Sequence, residues 1–116
     1  MTVKIYGIRN CDTMKKAFAW LDANGIDYSF HDYRVEGVDT DDISRWCEAV
    51  GCEVVLNKAS RTFRALPEND RQDLDRDKAI ALMADEPTMI KRPVLDTGEK
   101  IEIGFNPVRY AELFGR

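Results

Sequence analysis

No stretch of this chain approaches the ~20 consecutive apolar residues that a membrane helix requires. The opening run Met1-Thr2-Val3-Lys4-Ile5-Tyr6-Gly7 lacks the basic and then apolar build of a secretory leader, so neither a membrane span nor export is expected. Basic charge is not in surplus either. Seventeen Lys and Arg face 21 Asp and Glu, a formal net charge of −4, which disfavours direct nucleic-acid binding through a broad basic face. Histidine is nearly absent, His31 being the single one, and no Ser or Cys partners it locally for base catalysis. There is no P-loop and no GxGxxG. Asp73, Asp75 and Asp77 imitate a calcium loop, but Lys78 stands where its glycine belongs and Ala84 where its bidentate glutamate belongs. Cysteine is sparse: Cys11, Cys47 and Cys52, an odd number with no CxxC. Free thiols in a reducing cytoplasm are therefore expected rather than a disulfide framework. Zinc is disfavoured, because Cys47 and Cys52 have no second ligand pair.

What is present describes one ordinary folded unit. With 44% hydrophobic and 33% charged residues in 116, the chain is too apolar to be disordered. At this length roughly 65% of the unfolded surface can be buried without metal or disulfide staples. No repeat or Gly/Ser-rich linker divides it. Val3 to Tyr6 reads as a short strand ending at Gly7. Met14, Ala17, Phe18 and Leu21 then fall at helical spacing, started by Asn10-Cys11-Asp12-Thr13 and closed by Asn24-Gly25. Ile26 to Tyr33 reads as a second strand, which completes a parallel βαβ unit. Asp39 to Asp42 starts a helix carrying Ile43, Trp46, Cys47 and Val50, so Cys47 is expected in the core. Val54-Val55-Leu56 is too short to assign, and 59–66 reads as a loop or helical turn. Asp75 to Glu86 is helical through Ala79, Ile80, Leu82 and Met83, up to Pro87. Val94-Leu95 and Ile101 to Ile103 flank Asp96-Thr97-Gly98-Glu99 as a hairpin. Asn106-Pro107 opens a last helix with Val108, Ala111, Leu113 and Phe114. The order βαβ, helices, ββα gives an α/β sandwich with a helical insertion.

Charge is unevenly spread. Residues 1–20 hold Lys4, Arg9, Lys15 and Lys16 against Asp12, whereas 21–50 hold two basic and eight acidic residues. Residues 54–66 add Lys58, Arg61 and Arg64 without an acid. Such clusters suit an anion site on an acidic body. Cys11 sits where a strand gives way to a helix, so free N–H groups and the helix dipole favour its thiolate. Lys15 one turn on, with Arg9 and Lys16, is expected to lower its pKa further. Thr13 and Met14 stand where a dithiol reductase carries its second cysteine, which makes a monothiol mechanism the default. Arg92-Pro93 precedes the strand Val94-Leu95 and marks an edge, a turn or a cis bond.

The run Tyr6-Gly7-Ile8-Arg9-Asn10-Cys11-Asp12-Thr13-Met14-Lys15-Lys16-Ala17, followed in order by Leu56-Asn57-Lys58, Thr62-Phe63-Arg64, Lys91-Arg92-Pro93-Val94 and Gly104-Phe105, resembles the arsenate reductase (ArsC) family, and within it the YffB-type subgroup. The resemblance implies a thioredoxin-like three-layer sandwich, its core at about 1–35 and 88–116 and a helical subdomain inserted at about 36–87. It implies Cys11 as the nucleophile, Arg92 as the anion-binding arginine and Pro93 as a cis-proline facing the cysteine. Asn10, Asp12, Thr13, Lys15, Lys58 and Arg64 complete the expected substrate or glutathione contacts. No bound cofactor is implied, glutathione being a co-substrate and glutaredoxin a further partner of a cytoplasmic monomer. The implied activity is that of a glutathione-dependent thiol reductase. Arsenate reduction is the alternative, but arsenate-reducing relatives place arginines where Asn57 and Gly104 or Phe105 stand. A second alternative is an Spx-like regulator that binds RNA polymerase, disfavoured because Met14 breaks the CxxC common in that group.

Overall fold

The computed structural model describes residues 3–116. Met1 and Thr2, which head the run read as lacking a leader, lie outside the described residues. In chain order the elements are β1 (Lys4–Gly7), α1 (Asp12–Ala23), β2 (Ser29–Asp32), α2 (Tyr33–Glu36), α3 (Thr40–Val50), α4 (Cys52–Val55), α5 (Arg61–Arg64), α6 (Glu68–Arg71), α7 (Arg76–Asp85), a 3-10 turn (Pro87–Met89), β3 (Val94–Asp96), β4 (Ile101–Ile103) and α8 (Pro107–Phe114). They fall into two compact units. Residues 3–32 with Arg92–Arg116 form a sheet unit, and Tyr33–Lys91 form a helical unit.

The sheet unit is built on four strands in the order β2-β1-β3-β4. β1 pairs parallel with β2, Ile5 opposite Phe30, and antiparallel with β3, Ile5 opposite Leu95. β3 and β4 close as the expected hairpin. Because side chains alternate along a strand, Ile5 and Leu95 share one face. Met14, Ala17 and Leu21 of α1 and Tyr110 of α8 pack into the same core cluster. The α/β class and the βαβ…ββα order with helices between its halves are as expected.

Two local readings need correction, and a segment too short to assign from sequence finds its place. The second strand spans only Ser29–Asp32, since Ile26 and Tyr28 pack against the core before pairing begins and Tyr33 already starts α2. Val54 and Val55 belong to the single helical turn α4, after which Leu56 bridges to Ile90. In α8 the buried residue is Tyr110, whereas Val108 is 65% exposed. Asn106 accepts hydrogen bonds from the N–H groups of Val108 and Arg109 as the cap, so that register puts Tyr110 inward.

Tyr110 sits among Phe105, Trp20 and Phe114, with ring centroids 4.9, 5.6 and 6.5 Å away. Its hydroxyl is buried and has no hydrogen-bond partner among the described residues. Burial, reinforced by the Glu102 carboxylate, pushes the phenol pKa well above its ordinary value. A buried donor without a partner costs stability, while its apolar isostere does not. Tyr110→Phe is therefore expected to stabilise the protein by about 1 kcal/mol, read as a rise in Tm of about 4 °C. A fall in Tm would refute this account of the hydroxyl.

In the helical unit, α3 buries Ile43, Trp46 and Cys47, and α7 buries Ala79, Ile80 and Met83 against it. Arg76 at the start of α7 donates to the hydroxyl and carbonyl of Ser44 on α3, at 2.8 and 3.3 Å. Asn57 N–H to Met89 carbonyl (2.7 Å) and Lys91 N–H to Val55 carbonyl (2.9 Å) tie the segment after α4 to the unit's last residues. These bonds carry the unit to Lys91, and α2 starts it at Tyr33, against the 36–87 expected for the insertion. Cys47 is buried as its place on the α3 stripe implied. It is nevertheless not a free thiol: Cys47 and Cys52 form a disulfide, and Cys11 is the free cysteine. Counting cysteines could not show this, because the pairing depends on the tight turn between α3 and α4.

Candidate active site

β1 ends at Gly7, and Ile8, Arg9 and Asn10 carry the chain to Cys11, whose extended backbone (φ −136°, ψ 130°) makes it the N-cap of α1. Its carbonyl accepts the Lys15 N–H at 3.0 Å, the first bond of the helix. The thiol is thereby held beside the unpaired amides of the first turn. Burial, the largest single influence, pushes the Cys11 pKa up. The N–H groups of Met14 and Thr13, together with the charge and hydrogen bond of Arg92, outweigh it and hold the thiol below its ordinary value. No full side-chain cap bond is closed at Cys11, so the Met14 and Thr13 amides act on the sulfur as oriented dipoles.

Arg92 arrives from the other end of the sheet unit. Tyr6 pairs with Val94, which sets Pro93 level with Gly7 and Arg92 beyond the end of β1, where Cys11 lies. The Arg92–Pro93 bond is cis. Pro93 is buried, its carbonyl accepts the Gly104 N–H at 2.8 Å, and Arg92 itself is half-buried.

The expected cationic support is thus redistributed. Lys15 is exposed and does not figure among the groups that lower the Cys11 pKa; solvent screens its charge. Arg9 is also exposed, and its guanidinium lies 5.5 Å from the Phe30 ring centre, a cation–π contact with β2 that sequence spacing did not indicate. Asn10 and Asp12 are exposed on either side of the cysteine, and Thr13 is half-buried. Lys58 and Arg64 belong to the helical unit, Lys58 in the turn after Leu56 and Arg64 at the end of α5, both exposed. His31 pairs with Tyr6 across β1 and β2, with the rings 4.9 Å apart, and is a strand residue. Among the described residues no three His, Cys, Asp or Glu are grouped to hold a metal ion.

Arg92 stabilises the thiolate and not the thiol, so removing its charge must raise the Cys11 pKa. In Arg92→Ala the pH midpoint of Cys11 alkylation is expected to move up and the rate at pH 7 to fall, whereas Lys15→Ala leaves the midpoint in place. An unmoved midpoint in Arg92→Ala would remove Arg92 from the cysteine's electrostatics.

The chain as a whole is similar to several known proteins. The solved structure of the protein YffB (PA3664) superposes with a TM-score of 0.94 at 50% identity, over 96% of this chain and 97% of that one. An arsenate reductase (ArsC) related protein from Brucella melitensis superposes with a TM-score of 0.75 at 49% identity, over 100% and 97%. An uncharacterized protein of Haemophilus influenzae is 41% identical over 112 residues, 97% of this chain and 98% of its own length. The global transcriptional regulator Spx 2 of Bacillus anthracis is 27% identical over 106 residues, 90% of this chain and 80% of the regulator. The ArsC family model matches residues 6–113, from the last residues of β1 to the end of α8, and on that extent the chain belongs to the ArsC family.

Proposed function

We propose that this protein is a glutathione-dependent thiol reductase in which Cys11 is the nucleophile. The observation that carries the reading is the free Cys11 thiol, held below its ordinary pKa by the amides of Met14 and Thr13 and by Arg92. A lowered pKa raises the fraction of thiolate, the form that carries out thiol–disulfide exchange. In the first step the Cys11 thiolate attacks the glutathione sulfur of a mixed disulfide. The substrate thiolate leaves and takes up a proton. In the second step a glutathione thiolate attacks the glutathione sulfur now bound to Cys11, which releases oxidised glutathione and returns the Cys11 thiolate. One glutathione thiol is consumed and one substrate thiol is released as the disulfide passes from the mixed pair to oxidised glutathione, so the cycle needs no bound cofactor. Arg92 beside the sulfur, with Arg9, Lys15 and Lys16 along the same end of the sheet unit, draws in the two carboxylates of glutathione. The protein works as a cytoplasmic monomer, with glutaredoxin able to take the place of glutathione in the second step.

The test is steady-state turnover of a glutathionylated peptide, with reduced glutathione varied at several peptide concentrations. Parallel double-reciprocal lines are expected, because the glutathionylated Cys11 separates two half-reactions. Absence of turnover overturns the proposal. Turnover of arsenate with glutathione and glutaredoxin, in place of the peptide, would assign arsenate reduction instead. Recovery of RNA polymerase on the immobilised protein, with no turnover of either substrate, would assign the regulatory reading.

A further inference from the structure

We propose that Cys47 and Cys52 form a second thiol–disulfide centre, opened at Cys52 by a small thiol that carries an amino-acid head group. The centre lies wholly within the helical unit and does not rest on the role of Cys11. Its geometry is set by the backbone around the turn. α3 ends at Val50, and Gly51 takes φ +95°, a conformation that side chains disfavour. The Gly51 N–H donates to the Cys47 carbonyl at 2.7 Å, the Val54 N–H donates to the Gly51 carbonyl at 3.1 Å, and the Leu56 N–H donates to the Cys52 carbonyl at 2.9 Å. These bonds fold Cys52 back over the end of α3, with the two Cα atoms 4.4 Å apart. None of them involves sulfur, so the turn survives reduction and keeps two thiols poised to re-form the bond. Pre-positioning of this kind raises the effective concentration of one thiol at the other.

Access differs between the two sulfurs. Cys47 is 6% exposed, packed on α3 beside Ile43 and Trp46, whereas Cys52 is half-buried. Both line a cavity of about 230 Å³ whose wall includes Glu53, Lys58, Asp75 and Arg76. That volume is of the size of a small molecule. Two cations and two carboxylates around it suit a zwitterion, the head group of cysteine or of a γ-glutamyl thiol. Arg76 is anchored to Ser44, and the Asp75 carboxylate accepts the Lys78 N–H at 2.8 Å, so Lys58 is the cation left to meet the thiol's carboxylate.

The step balances with the thiol as reductant. Its thiolate attacks the Cys52 sulfur, the Cys47–Cys52 bond breaks, and Cys47 leaves as a thiolate that takes up a proton. A second thiolate attacks the outer sulfur of the mixed disulfide, which releases the small disulfide and the Cys52 thiolate. Two small thiols lose the two electrons that the protein disulfide gains, and the reverse sequence reoxidises the pair.

The experiment uses the full chain carrying Cys11→Ser, which removes the free thiol from the readout. The protein is equilibrated in buffers of reduced and oxidised glutathione, quenched in acid, alkylated with N-ethylmaleimide and weighed. Labelling is expected to pass from none to two per chain together as the reduced fraction rises. In a chain carrying Cys11→Ser and Cys47→Ser, one glutathione is expected to accumulate on Cys52. In the chain carrying Cys11→Ser and Cys52→Ser, at least about ten-fold less is expected on Cys47, as burial of the attacked sulfur predicts. Lys58→Gln should slow opening by glutathione about three-fold, the scale of one exposed ion pair, and leave opening by 2-mercaptoethanol unchanged. Two labels in every buffer, or none short of denaturation, would overturn the proposal. Equal adducts at both cysteines would overturn the assignment to Cys52, and equal slowing of both thiols by Lys58→Gln would overturn the head-group assignment. The glutathione titration alone decides the main point should either double variant fail to fold.

Discussion

Replacing Cys11 by Ser is expected to lower turnover of a glutathionylated peptide by at least about 10³-fold, the scale seen when a catalytic nucleophile is removed. The reason lies in what the site can ionise. Two helix amides and one guanidinium hold a thiol below its ordinary pKa against its own burial. The same groups leave a serine hydroxyl protonated at any physiological pH, because its pKa lies far higher. The substitution also isolates chemistry from folding. Serine is a good N-cap, its oxygen accepting from the amides that face the sulfur, so the variant's Tm should equal or slightly exceed that of the parent. Loss of turnover with unchanged Tm is the expected pair of results, measured by peptide assay and thermal unfolding. A variant that keeps a tenth or more of the parent's turnover would place the nucleophile elsewhere.

The sequence disclosed those parts of the site that depend on neighbours along the chain. Asn10-Cys11-Asp12-Thr13 before an apolar stripe announced a helix start with a cysteine in its cap, and α1 begins at Asp12 behind Cys11. The hairpin and the Asn106-Pro107 helix start were readable for the same reason: turn and cap residues act within three or four positions. What was hidden depends on pairing across the sheet or on a turn. The cation that acts on Cys11 was expected at Lys15, four residues away; Arg92, known beforehand through a family resemblance alone, supplies it because the antiparallel pairing of β1 with β3 delivers the end of one strand to the start of the other. Cys47 and Cys52 were read as free thiols because cysteine spacing carries no information about a positive-φ glycine between them. Tyr110 turns inward and Val108 outward because the inward face of so short a helix follows from its cap register more than from its apolar pattern.

Gly7 and Met14 give the second large effect, one of stability. Gly7 closes β1, and a methyl group built on it would stand 2.7 Å from Met14 Cε and 3.4 Å from Cγ. Met14 has no exposed surface, so its flexible end must yield by repacking among core neighbours rather than by swinging into solvent. Gly7→Ala is therefore expected to cost about 1–3 kcal/mol by overpacking, although φ at Gly7 is not one that demands glycine. Met14→Ala alone is expected to cost about 2–5 kcal/mol, through lost burial and the cavity left behind. The two together should cost less than their sum by about 1 kcal/mol or more, since the alanine methyl at position 7 enters the space that Met14 vacates. Urea unfolding of the four proteins measures the coupling, and strict additivity would refute the contact. The same cycle reports on the active site. The Met14 amide is one of the two that favour the Cys11 thiolate, and a methyl at position 7 presses on Met14 one residue beyond Thr13 in the first turn of α1. Gly7→Ala should accordingly raise the pH midpoint of Cys11 alkylation, and adding Met14→Ala, which keeps the amide and removes the clash, should bring it back.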